Sequence, residues 1–399
     1  MLYRPEAFDP LTERPWDEGW VRGKIARIVA DAEQAYDPAA LWPADEWDGW
    51  GSPLPLKTLY VGAAGMAWAL RALRDRGHAE ATLDPVEVVA RSLEAWRETP
   101  GVLTSASIEL PAPAHAALFH GETGILAVHW LLAPSEEIAD RLHEHVASNV
   151  TNEAIDVFWG APGTMLAARF LLEQTGHERW ADAWRESADE LLGRRDGDGL
   201  WTIRLHGGEG RGIGPAHGLV GNVLVLRQAL DGPERASLER ETVAALARTA
   251  VVEHGLANWP GRADGSLEGS DGEIRLQWCT GAPGVVVSAA DYLDEELLLA
   301  GAELVWQAGP HGDEKGASIC HGTAGNGYAL LKTFERTGDE RWLERARRFA
   351  VHALEQAERL KAARGRGRYS LWTGDVGTAL FAADCLDGRA RYPILDTWG

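Results

Sequence analysis

Two cysteines and one histidine stand out as residues whose types and spacing suit metal chemistry. Cys279 lies two residues before the phrase GAPG that begins at Gly281, and Cys320 and His321 directly precede the similar phrase GTAG that begins at Gly322. Thiolate and imidazole ligands suit Zn²⁺, and three protein ligands leave a fourth coordination position open for water or substrate. The pattern predicts a zinc centre on these three residues. Inert core cysteines and a capping histidine are the alternative for each residue taken singly.

Further polar residues share this register and are candidates for proton transfer. His217 directly precedes another glycine pair, and an imidazole that titrates near neutrality is a candidate acid or base. His120 has the same register, and a hydrogen bond at a helix end is the alternative for both. Asp156 lies four residues before its glycine pair, where an ordinary cap or loop carboxylate is the alternative. Arg275, four residues before Cys279, would alone be a solvated surface charge.

The glycine pairs form an internal repeat that must position these side chains. Seven copies of Gly-x-x-Gly begin at Gly62, Gly121, Gly160, Gly218, Gly281, Gly322 and Gly374. Their starts are 39 to 63 residues apart, which is room for two helices and two turns in the shorter copies and for inserted loops in the longer ones. Each copy therefore predicts one helical hairpin.

The helices alternate in character along the chain. Segments after the pairs, such as MAWALRAL after Gly65, are apolar nearly all round and should be buried, whereas segments such as the one from Asp339 are amphipathic. We expect an all-α fold, an α/α toroid of seven inner and seven outer helices. One outer helix is predicted from Pro233 to Gly255, and the glycine-rich segment 206–215 is predicted to be a flexible loop over the open end. A single domain over 1–399 is expected, with an N-terminal extension at 1–18 and the toroid at 19–390.

Composition narrows the classes of function. The chain carries 39 basic and 60 acidic residues, a net charge of −21, so its surface would repel the phosphates of nucleic acid. Its three cysteines do not suggest a disulfide framework. The N-terminus lacks the basic start and apolar run of a signal peptide, and no apolar stretch approaches the roughly 18–20 residues that span a bilayer. We expect a cytoplasmic protein with no nucleic-acid partner and no integral membrane segment.

Three short sequence motifs that contain glycine pairs resemble the motifs of a known family. WCTGAPG from Trp278, CHGTAG from Cys320 and PAHGLVG from Pro215 are similar to the motifs of the lanthionine synthetase C-like family, which includes bacterial lantibiotic cyclases and eukaryotic glutathione-binding relatives. The resemblance covers about residues 20–390 and implies the same α/α toroid. It also implies zinc held by the residues that match Cys279, Cys320 and His321.

The resemblance further implies a reaction and roles for other residues. In the cyclases a cysteine thiol adds to dehydroalanine or dehydrobutyrine in the same peptide, which builds the thioether of lantibiotic biosynthesis. His217, Asp156 and Arg275 match active-site positions of the family. The implied partners are a dehydrated precursor peptide or a small thiol such as glutathione. A separate dehydratase partner would be needed, because this chain has no dehydratase domain of its own.

One departure from the family pattern keeps two other functions open. The residue after the first zinc cysteine is often Tyr or His in the family, whereas here it is Thr280, a poor proton donor. A non-catalytic protein that binds zinc and glutathione is therefore one alternative. A carbohydrate-active α/α barrel is the other, with tryptophans stacked on sugars and paired carboxylates as acid and base, but that function leaves the Cys-Cys-His set unexplained.

Overall fold

The computed structural model describes residues 1–49, 52–101, 110, 113–269 and 271–399, and these residues are mostly helical. The helices are α1 (Glu18–Gln34), α2 (Glu46–Gly49), α3 (Ala63–Asp75), α4 (Pro85–Glu98), α5 (Glu122–Leu132), α6 (Glu136–Asn149), α7 (Ala161–Thr175), α8 (Glu178–Gly193), α9 (Leu219–Ala229), α10 (Gly232–Thr249), α11 (Ala282–Ala289), α12 (Glu295–Ala308), α13 (Thr323–Thr337), α14 (Glu340–Arg364) and α15 (Asp375–Asp387). The strands are β1 (Ile203–Leu205), β2 (Gly208–Gly210), β3 (Val251–Glu253) and β4 (Leu256–Asn258).

Two concentric rings of helices make up the molecule. The inner ring contains α3, α5, α7, α9, α11, α13 and α15, and each of these helices packs against the next. The ring is closed because α15 also packs against α3. The outer ring contains α4, α6, α8, α10, α12 and α14, and α1 completes it by packing against α15 and α14. The predicted all-α toroid of seven inner and seven outer helices is confirmed.

Burial follows the alternation seen in the sequence. Every residue of the inner helix α11 is buried, as expected for a helix enclosed on all sides. The outer helix α14 buries one stripe that includes Trp342, Phe349 and Ala353 and leaves its charged side exposed. The Asp339 side chain caps α14 by accepting a hydrogen bond from the Arg341 backbone N–H at 3.0 Å.

The second glycine of each pair lies against the neighbouring repeat. A Cβ added at Gly124 would lie 2.6 Å from the Leu59 Cβ, and one at Gly284 would lie 2.6 Å from the Pro215 Cδ. The same relation holds in all seven copies: Gly65 faces Leu371, Gly124 faces Leu59, Gly163 faces Leu118, Gly221 faces Val157, Gly284 faces Pro215, Gly325 faces Trp278 and Gly377 faces Ile319. The repeats therefore meet in one constant register around the whole ring.

The residue five positions before each second glycine occupies the centre of the barrel mouth. We call these seven the circle residues: Tyr60, Phe119, Phe158, Ala216, Cys279, Cys320 and Trp372. Backbone hydrogen bonds join five of them in sequence, from Cys279 N to Cys320 O (3.4 Å), Cys320 N to Trp372 O (3.0 Å), Trp372 N to Tyr60 O (3.2 Å) and Tyr60 N to Phe119 O (3.1 Å). Main-chain bonds thus hold neighbouring repeats together at the level where the two cysteines lie.

Two β-hairpins replace segments that were predicted otherwise. The helix α10 ends at Thr249 rather than Gly255, and the predicted flexible loop 206–215 begins within the β1–β2 hairpin. In both hairpins a His-Gly pair forms the two-residue turn, with positive φ at His206 (55°), Gly207 (73°), His254 (54°) and Gly255 (78°). Two consecutive residues with positive φ match the right-handed twist of a hairpin, so each His-Gly pair turns the chain back instead of ending a helix or a loop.

Candidate functional site

The two cysteines meet because they are circle residues of adjacent repeats. Cys279 precedes α11 and Cys320 precedes α13, and His321 follows Cys320 directly. One ligand atom from each of the three residues lies within 4.8 Å of the others, and the Cys320 Sγ is 3.6 Å from the His321 Nε2. Among the described residues this is the one group of three or more Cys, His, Asp or Glu side chains placed to hold a metal ion.

The chemistry of this group fits zinc. The hydrogen bond from Cys320 and the nearby His321 together lower the pKa of the Cys279 thiol well below its ordinary value, although burial opposes the shift. Burial raises the pKa of the Cys320 thiol. Each sulfur also accepts a side-chain hydrogen bond, from the Gln277 Nε2 to the Cys279 Sγ (2.9 Å) and from the Tyr60 hydroxyl to the Cys320 Sγ (3.1 Å). Two sulfurs and one imidazole are a ligand set that a tetrahedral zinc ion accepts, and both sulfurs already accept hydrogen bonds from the protein.

His217 and Asp156 form a pair at the same mouth of the barrel. The His217 Nδ1 lies 2.7 Å from the Asp156 Oδ2, and the Asp156 Oδ1 accepts a hydrogen bond from the Trp159 backbone N–H at 2.6 Å. Asp156 is fully buried, whereas the His217 side chain is 41% exposed. Burial alone would lower the pKa of His217, but the charge and hydrogen bond of Asp156 raise it above its ordinary value, and Cys279 acts in the same direction. With Nδ1 held by Asp156, Nε2 is the nitrogen left to act on a substrate.

His120 shares the register of His217 but not its surroundings. Its ring is buried against Trp159, with centroids 4.7 Å apart. Burial, followed by the nearby charge of His217, lowers the pKa of His120 to about 3. His120 is therefore neutral at physiological pH, and of the two histidines only His217 has a pKa that is raised.

Two cavities lie at this end of the barrel, and Arg275 lines both. The larger, of about 720 Å³, is lined by His217, Thr280 and the β1–β2 hairpin. The smaller, of about 200 Å³, is lined by His321, Gln277 and Lys315 among others. The Arg275 guanidinium is bound by the Asp271 carboxylate, whose Oδ1 lies 3.2 Å from its Nη1. Arg275 is thus not a freely solvated charge but a half-buried cation held between the two cavities.

All six residues predicted from the sequence lie at this end of the barrel. Cys279, Cys320 and His321 come together as one group, Asp156 pairs with His217, and Arg275 borders both cavities. Their catalytic and ligand roles stay predictions. Cys385, the third cysteine of the chain, is fully buried in α15.

Two further residues of the site were missed. Tyr60 and Gln277 were not singled out in the sequence, although aligning the seven repeats puts Tyr60 in the same register as the two cysteines. Gln277 carried no signal beyond its position two residues before Cys279. In the described part of the chain, no helix has both the length and the apolar character that crossing a membrane requires.

Comparison with known proteins gives a consistent family and fold. The sequence profile described as "Lanthionine synthetase C-like protein" matches residues 54–396. The chain is 30% identical over 196 residues to "Glutathione S-transferase LANCL1" of Danio rerio, which is 46% of this chain and 45% of that protein. It is 27% identical over 240 residues to "LanC-like protein GCL1" of Arabidopsis thaliana, which is 56% of this chain and 53% of that protein. The matches thus span about half the length of these curated relatives.

A solved structure extends the comparison to nearly the whole fold. "Nisin cyclase" superposes with a TM-score of 0.62 at 15% sequence identity, over 94% of this chain and 96% of that one. The likeness establishes a shared architecture of helices, while an identity this low leaves substrate and reaction to be argued from the site.

Proposed function

The chain belongs to the lanthionine synthetase C-like family, and we propose that it is a zinc-dependent enzyme that adds a thiol to dehydroalanine or dehydrobutyrine in a peptide. The observation that carries the proposal is the convergence of three zinc-type ligand atoms, all within 4.8 Å of one another, at the end of the barrel where His217 and Thr280, the chain neighbour of Cys279, line the larger cavity. A metal group alone would suit a structural site, and an Asp-His pair alone would suit many hydrolases. Their combination at one cavity favours activation of a thiol together with proton delivery.

The reaction is an addition with no leaving group. The substrate thiol gives up its proton, its sulfur bonds to the β-carbon of the dehydro residue, and the α-carbon of the resulting enolate takes up a proton. Zinc held by Cys279, Cys320 and His321 would supply Lewis acidity that lowers the pKa of the thiol. The proton lost by the thiol balances the proton delivered to carbon, so the enzyme returns to its starting state.

His217 is the proton donor of the proposed reaction. Asp156 favours the imidazolium form and fixes the ring through Nδ1, which leaves Nε2–H to protonate the enolate carbon. Thr280, which lines the same cavity, has a hydroxyl too weakly acidic for this task, so His217 acts without help from that position. Arg275 supplies positive charge near the developing enolate or a substrate carboxylate, and Asp271 holds it in place.

Metal analysis of cysteine variants tests the proposal. We expect the purified protein to contain one zinc per chain and Cys279→Ala to lose both the zinc and the formation of thioether from a dehydroalanine-containing peptide. Cys385→Ala is the matched control, because Cys385 is buried in α15 outside the ligand group, and it should keep the zinc. A Cys279→Ala protein with a full complement of zinc would show that the ligand assignment is wrong.

A second candidate has a different thiol substrate. The smaller cavity is bordered by His321, by the acidic residues Asp48 and Glu314, and by four cations, Lys315, Arg275, Arg364 and Arg368. One relative is named as a glutathione S-transferase. A small thiol that carries carboxylates would suit such a cavity. Glutathione would then add to a dehydrated peptide in place of a cysteine of the peptide itself.

One assay separates the candidates. A dehydrated peptide with its own cysteine is offered with and without glutathione, and the products are weighed by mass spectrometry. A ring with no added mass identifies cyclisation, and a gain of one glutathione identifies transfer. Bound zinc and bound glutathione with no product would identify a non-catalytic binder. The dehydrated peptide requires a dehydratase as the partner that supplies it, and we place the reaction in the cytoplasm, where thiols stay reduced.

A further inference from the structure

One phenolic hydroxyl stands among the aromatic circle residues. Phe119, Phe158 and Trp372 fill that register in three repeats, and Tyr60 fills it in another. The Tyr60 hydroxyl donates to the Cys320 Sγ at 3.1 Å. Its oxygen is thus the one feature that sets it apart from the phenylalanines, and that oxygen points at a predicted metal ligand.

The surroundings of Tyr60 leave its ring little freedom. Tyr60 is 4% exposed, and its ring packs against Phe158 (5.3 Å between centroids) and against His120 (4.8 Å). Its backbone N–H and C=O are both used in the bonds that join the circle residues. The hydroxyl is therefore held towards the sulfur by contacts of the ring with Phe158 and His120 and by the main chain.

Gln277 is the corresponding hydrogen-bond donor to the sulfur of Cys279. Its Nε2 donates to the Cys279 Sγ at 2.9 Å, and the residue is 6% exposed. Two backbone bonds with Thr280, Gln277 N to Thr280 O (3.0 Å) and Thr280 N to Gln277 O (3.1 Å), fix the turn that carries it. Each cysteine sulfur thus has one buried side-chain donor from outside the ligand set.

We propose that Tyr60 and Gln277 are positioning residues that tune the two sulfur ligands. A hydrogen bond to a thiolate stabilises its negative charge and reduces the charge that it donates to a metal. A metal held by these residues would keep the Lewis acidity that the proposed reaction requires. The inference itself rests on the two hydrogen bonds, and the role we give them in catalysis rests on the proposed function.

Tyr60→Phe tests the inference, because it installs the side chain that Phe119 and Phe158 already place at this register. In the cobalt-substituted protein we expect the sulfur-to-cobalt charge-transfer band to move to lower energy, since the sulfur loses a donor. The zinc dissociation constant should rise by about tenfold or more, because the sulfur loses the donor that stabilises the thiolate form, and zinc binds only that form. Gln277→Leu should have the same two effects through Cys279, and it provides the test of the inference if Tyr60→Phe does not fold.

Tyr392→Phe is the matched control. Tyr392 is a fully buried tyrosine of the same aromatic cluster, with its ring stacked on Trp278 (4.9 Å), but its hydroxyl donates to the Ile319 carbonyl at 2.6 Å rather than to sulfur. Its variant should leave the cobalt spectrum unchanged. A Tyr60→Phe band that coincides with that of the unaltered protein overturns the inference even if thioether is formed. Metal binding with shifted bands but no thioether product overturns the proposed function alone, and an unaltered protein that binds neither metal overturns both.

Discussion

At the scale of single residues, the Asp156 carboxylate gives different properties to two histidines that occupy the same register of the repeat. His120 and His217 share a register, yet His120 is buried among aromatic rings and has a pKa of about 3. His217 lies 2.7 Å from Asp156, which raises its pKa. Asp156, which belongs to the neighbouring repeat, therefore determines which of the two histidines has the raised pKa.

Replacing that carboxylate should move the pH profile of the reaction. The protonated form of His217 is the proposed acid, so activity is present below its pKa and falls as pH rises through it. Asp156→Asn removes the charge that raises this pKa, and the alkaline limb of kcat/KM should move to lower pH. His217→Asn should reduce kcat by about 10²–10⁴-fold, the usual contribution of a general acid. An alkaline limb that stays in place in Asp156→Asn would contradict the pairing.

The predicted ligands could be found from sequence, and their hydrogen-bond donors could not. Cys279, Cys320 and His321 are rare residue types in register with a repeat, so type and spacing sufficed to predict that they lie together. Tyr60 is 260 positions from Cys320 in the chain, and a tyrosine in an aromatic series looks like core. Only closure of the ring brings its hydroxyl to the sulfur.

At the scale of helices and turns, the glycine pairs act through contact between repeats. The second glycine is needed where two repeats touch, because a side chain there would meet both a backbone carbonyl of its own repeat and a side chain of the next. At Gly124 these are the Leu118 oxygen and the Leu59 Cβ. The pairs thus set the distance between neighbouring inner helices.

Alanine at a paired and at an unpaired glycine should have opposite effects. Gly124→Ala forces a methyl group into the Leu59 contact and should lower the free energy of unfolding by about 1–3 kcal/mol or more. Gly23→Ala lies in α1 with no atom within 4 Å of the added carbon and should raise it by about 0.4–1 kcal/mol. Urea unfolding followed by circular dichroism measures both. Equal effects would show that the register contact is unimportant.

The sequence predicted helices better than it predicted hairpins. Long apolar and amphipathic segments carry a strong period, and the inner and outer helices follow it. The strands β1 to β4 are three residues each, too short for a period of two to be evident. Their His-Gly turns are also weaker signals of a hairpin than Asn-Gly or Asp-Gly. The predicted helix therefore runs on to Gly255, through the residues that form β3 and its turn.

At the scale of the whole molecule, closure of the ring is what completes the site. The circle residues are joined by main-chain bonds that run from Cys279 through Cys320 and Trp372 to Tyr60. An open array of repeats would end at its last member, whereas here α15 packs against α3 and α1 packs against α15. Each repeat therefore depends on neighbours on both sides.

Opening the ring should abolish metal binding at the predicted site even though its three predicted ligands are kept. Removal of residues 366–399 deletes α15 but keeps Cys279, Cys320 and His321. We expect this variant to lose zinc binding and the single cooperative unfolding transition, because Cys320 loses its backbone partner Trp372 and α3 loses its inner neighbour. Zinc content and calorimetry provide the measurement. Full zinc content with an unchanged transition would mean that the repeats are stable as an open array, as in solenoids.

The seventh hairpin is built from helices far apart in the chain, α1 and α15. During synthesis, α1 leaves the ribosome early. Roughly 340 further residues must be added before α15 begins, which takes on the order of tens of seconds at typical rates of translation. Until then α1 has no inner helix to cover, and the Tyr60 hydroxyl and the Cys320 sulfur belong to opposite ends of an open arc. The predicted ligands are also synthesised before α15, so we expect a nascent chain to bind no zinc at Cys279, Cys320 and His321 until α15 has closed the ring.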